Sequence, residues 1–162
     1  MNTDWQGIPT LTWDVGVVPM YPRFLDEKIF QTYYLQYPFQ AIPTALHEIT
    51  HFIYFKKWAE LFPSDTKEMF EYPDLVWHLS ELMAEAINSD ERLRILIPDA
   101  EGYGHPIYRN VPFQKNKQDF SQYGYFAKKY LEFKKTGKSI DNFLKEAREE
   151  IKELELNIWS ST

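Results

Sequence analysis

The sequence predicts an α+β fold that is mainly helical, one domain with a small N-terminal β element and a C-terminal helical hairpin. Three observations predict it. Near the start, Leu11-Thr12-Trp13-Asp14-Val15-Gly16-Val17 alternates apolar and polar residues, the period of a half-exposed strand. From about residue 26 onward, apolar side chains recur instead at steps of three and four, the period of a helix. The length, 162 residues, suits one domain whose core needs no disulfide or metal staple.

Taken in order, the strand over 11–17 ends near Pro19 and Pro22. A helix is expected from Asp26 to about Tyr37, with Phe30, Tyr33, Tyr34 and Tyr37 at helical spacing and Pro38 as its stop. A second helix starts at Pro43 or Thr44, because a proline in the first turn forfeits no hydrogen bond, and it ends at Phe62 before Pro63. After an acidic linker over 64–72, Asp74 caps a third helix that runs to Ile87 at least, with a restart at Ser89 or Asp90 and an end near Ile97. Residues 99–112, with Gly102, Gly104 and Pro106, read as loop. The hairpin over about 117–159 pairs a helix from Gln118 to Thr136, closed by Gly137, with a last helix capped by Ser139. On that last helix Ile140, Leu144, Ala147, Ile151, Leu154 and Ile158 form an apolar seam. It packs onto the body of the chain or, as the lesser alternative, joins two copies as a homodimer.

Composition removes several function classes. The chain has no cysteine, so disulfides, thiolate nucleophiles and Cys-ligated zinc or iron–sulfur centres are excluded. Its net charge of −6 argues against nucleic acid as a partner. No apolar run is long enough to span a membrane, and the first residues carry neither the basic nor the apolar region of a signal peptide. The expectation is a soluble, cytoplasmic protein with no membrane partner. Charge is uneven: residues 115–138 hold 7 Lys/Arg against 2 Asp/Glu, which reads as a helix lying beside acidic neighbours.

Chemistry concentrates in the second helix, at His47-Glu48-Ile49-Thr50-His51. Residues four apart share a helix face, so His47 and His51 offer two imidazole nitrogens to one zinc ion. Glu48 lies about a quarter turn away, placed to act on water as a general base without ligating. Its neighbours Ala45, Leu46, Ile49, Phe52, Ile53 and Tyr54 are apolar nearly all round, as in a buried helix, and buried histidines and carboxylates need partners. A catalytic zinc usually takes a third protein ligand. The positions where a metzincin has its glycine and third histidine are Tyr54 and Lys57, which excludes that subclass. On the third helix, His78, Glu81 and Glu85 cluster on one face beside the stripe of Leu75, Leu79, Leu82 and Ala86. Glu81 completes a His-His-Glu set. Glu85, one turn on, is placed to accept the free ring N–H of a ligating histidine. His78 is an alternative ligand or proton shuttle, against the simpler role of a hydrogen-bonded structural histidine.

With these residues in place, the chain resembles the gluzincin branch of the zincin metallopeptidases, through His47-Glu48-Ile49-Thr50-His51 followed by Glu81-Leu82-Met83-Ala84-Glu85. Those enzymes carry their glutamate ligand on a later helix with an acidic residue four positions on, usually Asp, where this chain has Glu85. This resemblance covers about residues 40–98. Glu85-Ala86-Ile87-Asn88 through Ile95-Leu96-Ile97-Pro98 is also loosely similar to the ImmA/IrrE-type short zincins, and on that alignment Glu85 is the ligand in place of Glu81. The resemblance implies a zincin-like fold, a Zn2+ cofactor and a peptide or protein substrate.

The function expected is therefore a zinc-dependent hydrolase, a peptidase cleaving amide bonds with Glu48 as general base. Tyr103 and His105, with Tyr108, lie in the glycine-containing loop after the third helix, where a second electrophile for the oxyanion would sit. The strand over 11–17 offers an edge for an extended peptide. The alternative is a non-catalytic regulatory or protein-binding module on the same scaffold.

Overall fold

The computed structural model describes residues 10–93, 95–96, 112–115 and 118–158. Its elements are strands β1 (Thr12–Gly16), β2 (Arg23–Phe24) and β3 (Ile29–Tyr33), helix α1 (Pro38–Leu61), a 3-10 turn at Lys67–Phe70, and helix α2 (Leu75–Asn88). A second 3-10 turn at Glu91–Leu93, strands β4 (Pro112–Lys115) and β5 (Gln118–Ser121), and helices α3 (Gln122–Thr136) and α4 (Ile140–Ile158) follow. The architecture is α+β and mainly helical. Among the described residues no helix is long and apolar enough to cross a membrane.

The first sheet has the order β1-β3-β2, with β1 parallel and β2 antiparallel to β3. This corrects the helix expected over Asp26–Tyr37. Lys28 takes a left-handed φ of +59°, which breaks any helix there and turns the chain from β2 into β3. Beyond it, burial alternates with period two, Phe30 and Thr32 facing inward. Isoleucine, phenylalanine, threonine and tyrosine suit a pleated surface, so a short aromatic run that reads as helix in isolation becomes strand once β1 supplies its ladder. Trp13 anchors that pairing, donating Nε1–H to Thr32 Oγ1 at 2.8 Å and stacking on Phe30.

Helix α1 begins at Pro38, five residues earlier than expected, with Tyr37 as an extended N-cap. The Tyr37 carbonyl accepts from the N–H groups of Gln40 and Ala41. Pro43 is thus inside the helix, where it withholds one N–H. Gln36 adds side-chain bonds to this first stretch, its Nε2 donating to the Gln40 carbonyl and to Thr44 Oγ1 at 3.2 and 2.7 Å. Asp74 caps α2 as expected, accepting from Val76 N–H at 2.8 Å. Among the described residues the restart after α2 is the 3-10 turn Glu91–Leu93, followed by a turn at 95–96, and Ile97 lies outside the described residues.

The helix expected from Gln118 begins four residues later. Residues 112–115 and 118–121 form a hairpin with Phe113 opposite Phe120 in register. Ser121 is the better start signal, its Oγ accepting from Gly124 N–H at 3.0 Å. Gly137 closes α3 in the left-handed conformation.

Helix α2 is the centre of the molecule. It is buried at almost every position, with Leu79, Leu82, Met83, Ala84 and Ala86 inaccessible. Around it pack Tyr54, Phe55 and Trp58 of α1, Phe126 and Tyr130 of α3, and Phe143, Leu144, Ala147 and Ile151 of α4. The apolar seam of the last helix is therefore packed onto its own chain as far as Ile151, while the side chains of Leu154 and Ile158 lie outside the described residues. The basic α3 faces acidic partners, with Lys129 on Glu150 and Lys134 on Asp90, both at 2.6 Å. A smaller cluster of Phe30, Ala45 and Phe52 fixes the sheet to α1. Sheet, α1 and α2 meet at one place, and the polar residues collect there.

Candidate metal centre

Helices α1 and α2 bring His47, His51 and Glu81 together in the interior. The i, i+4 spacing on α1 sets the two imidazoles one above the other, and their Nε2 atoms are 2.9 Å apart. Glu81 approaches from α2, with Oε2 at 3.1 Å from His47 Nε2 and Oε1 at 3.2 Å from His51 Nε2. All three residues are buried, His51 completely. This group could hold a metal ion.

The donor chemistry fits one. Four atoms converge, two imidazole nitrogens and both oxygens of the carboxylate, and two neutral imidazoles bring at most two Nε2 protons to the three contacts between them. Two donors on one tetrahedral ion with bonds of about 2.0–2.1 Å lie about 3.3 Å apart, so the 2.9 Å between the two nitrogens and the approach of one carboxylate oxygen to each of them leave the donors at the spacing an ion needs. Electrostatics favours the ligating form of His51: complete burial, then the nearby Arg23 cation, lowers its pKa to about 3. His47 is pulled both ways. Burial opposes its charge, but the hydrogen bond and charge of Glu81 outweigh burial and hold it above the ordinary value. For Glu81, burial pushes the carboxyl up while the two histidines draw it well below the usual carboxylate range.

Glu48 stands beside this group, not in it. Its carboxylate is buried and accepts from Arg23 Nη1 at 3.4 Å. Burial raises its pKa, against the lowering effect of His47 and Arg23 and with the help of Glu81.

Arg23 was not legible as a site residue. From β2 its Nη1 reaches both Glu48, at 3.4 Å, and Glu81, at 3.6 Å, and its guanidinium lies over the Phe55 ring. No spacing rule links it to residues 25 and 58 positions on; only the β2–β3 turn puts it there. β1 is an edge strand, yet the strand that reaches the metal group is β2.

Glu85 is buried one turn further along α2 and is outside the converging group. Nor does it take a ring proton of either histidine, because Nδ1 of His47 and Nδ1 of His51 have no hydrogen-bond partner among the described residues. The turn between Glu81 and Glu85 carries the second carboxylate away from the rings. His78 is also buried, but it lies among the rings of Tyr72 and Trp77 and not with His47 and His51. Tyr103, His105 and Tyr108 lie outside the described residues. Compared with models of protein families, with curated proteins and with solved structures, the chain matches none.

Proposed function

We propose that the protein is a zinc-dependent hydrolase, a peptidase acting on amide bonds, in which His47, His51 and Glu81 hold the ion. One observation carries this reading: two imidazole Nε2 atoms and a carboxylate converge in the interior within 3.2 Å of one another along each contact, with a second buried carboxylate, Glu48, alongside. A structural ion has no use for that extra carboxylate. When bound, zinc supplies Lewis-acid polarisation of a carbonyl and makes water acidic enough to react near neutral pH.

The remaining work falls to the chain itself. Glu48 takes the proton of the attacking water on its carboxylate and later gives it to the leaving amine. Burial makes Glu48 a stronger base than an exposed glutamate, which suits that task. Arg23 positions the Glu48 carboxylate through Nη1 and limits where it can point. Phe55 stacks on His51 with centroids 6.0 Å apart and keeps water from the far side of that ring.

Native mass spectrometry tests the ion and a peptide-library assay tests the chemistry. The wild type should carry about one zinc per chain, and His47→Ala/His51→Ala should carry none. Glu48→Gln should keep zinc and fold while losing turnover by about 100-fold or more. Stoichiometric zinc in the double variant would rule out this ligand set, and undiminished turnover in Glu48→Gln would place the base elsewhere.

A further inference from the structure

A cavity of about 580 Å³ opens beside the metal group, within the size range of small-ligand sites. Its floor is apolar, made by Leu25, Phe52, Phe55 and Phe70. Two of its walls are shared with the metal group. Phe55 stacks on His51, and Arg23 turns Nη1 to Glu48 and Glu81 while lining the cavity. Anything bound in the cavity is one side chain away from the reacting centre.

The charge at this junction selects the ligand. Glu48, Glu81 and Arg23 together carry one net negative charge, and a divalent ion held by neutral imidazoles turns this into one net positive charge. Inside a protein an uncompensated charge is costly, so the loaded site favours a ligand that brings one negative charge. The rim does not choose the sign, because it mixes acids and bases, as where Lys67 pairs with Asp26. Arg23 does. Its side chain is only 12% exposed, and among the described residues its guanidinium meets no acceptor besides the two carboxylates at Nη1. A guanidinium has five N–H donors in a planar fork that matches a carboxylate.

We infer that the cavity is a substrate pocket and that Arg23 selects a carboxylate there, so that the substrate is an amide with a carboxylate next to a large apolar, aromatic-sized group. The aromatic floor takes the apolar group and Arg23 takes the anion. This rests on the hydrolase reading above, through the ion whose charge it counts.

The test is binding, not turnover. Full-length protein is loaded with zinc, its zinc content is measured, and it is titrated calorimetrically with 3-phenylpropionate, 3-phenylpropionamide and propionate. The phenyl acid should bind about 10-fold or more tighter than the neutral amide, and likewise tighter than propionate, which lacks the ring. Arg23→Gln should retain zinc and lose the preference for acid over amide. Leu25→Trp, which fills the cavity without touching the charges, should weaken the phenyl acid about 10-fold while leaving zinc in place. Equal binding of acid and amide overturns the inference. So does an acid preference that persists in Arg23→Gln, which would put the carboxylate on the metal, or full affinity in Leu25→Trp. Zinc uptake with any of these results leaves the hydrolase reading standing, whereas a protein that takes up no zinc overturns both.

Discussion

Glu81 and Glu85 have the same side chain, lie one turn apart on α2 and are both buried, yet their surroundings assign them different work. Glu81 spans the two imidazoles with separate oxygens, at 3.1 and 3.2 Å, so it is drawn well below its usual pKa and stays an anionic donor. Glu85 touches neither ring nitrogen left over on His47 and His51. The two glutamines therefore separate the roles. Glu81→Gln replaces an anionic donor by a neutral amide and should weaken zinc binding by about 100-fold or more, whereas Glu85→Gln should change it by less than about 10-fold. A competitive zinc titration against a chelating indicator measures both. Equal losses, or the larger loss at position 85, would move the third ligand to Glu85.

Among elements, one carboxylate adds a polar tie to the apolar packing of α3 on α2. Asp90 follows α2, is 2% exposed, and binds Arg92 through Nε and Nη2 and Lys134 of α3 through Nζ at 2.6 Å. The Arg92 hydrogen bonds, helped by Lys134 and opposed by burial, hold its carboxyl well below the usual range. A carboxyl depressed in the folded state stabilises the fold fully above its unfolded pKa, about 3.9, and that contribution is lost as pH falls below this value towards the folded pKa. Asp90→Asn should cost about 1–3 kcal/mol near neutral pH, since the two cations it leaves can still turn to solvent. The gap between wild type and variant should narrow below about pH 4. Urea unfolding at several pH values checks this, and a gap independent of pH would show that the charge contributes nothing.

The molecule as a whole is organised about a polar interior that is incomplete as a set of hydrogen bonds. His47, Glu48, His51 and Glu81 are all buried where α1, α2 and the first sheet meet, and Arg23 of the sheet pairs with both carboxylates. An ion that binds the folded chain alone raises stability by mass action, by about 4 kcal/mol at 1,000 times its dissociation constant. For a chain of this size that is a rise in Tm of about 8–16 °C. Thermal unfolding with zinc and with excess chelator should show this difference in the wild type and in Glu48→Gln, and none in His47→Ala/His51→Ala. The same Tm with zinc and with chelator in the wild type would mean that the interior is satisfied without an ion.

Local rules were enough wherever a few neighbouring residues decide the outcome. The His47/His51 pair is four residues apart on a helix whose period alone puts both rings on one face, and the same arithmetic on α2 groups His78, Glu81 and Glu85 without choosing among them. Asp74, Gly137 and the helix ends they mark were likewise legible, because a cap is decided within one turn of the chain, by a bond to Val76 N–H in the first case and by a left-handed backbone in the second. What escaped was non-local. The stretch over 26–37 carries aromatic residues compatible with either period, and β1, pairing with β3 across the loop between them, decided for strand. The hairpin over 112–121 was hidden for the same reason, since its partner strands stabilise each other and neither is marked alone. Arg23 depended on both the strand and the turn at Lys28, so no reading of its neighbours could bring it to Glu48 and Glu81. The sequence by itself determined that four long helices, as seen among the described residues, follow Tyr37, and which donor pair the first of them carries, because those follow from backbone period. Only tertiary structure decided which charge faces the donors and which cavity adjoins them, because both arise where distant segments are buried together.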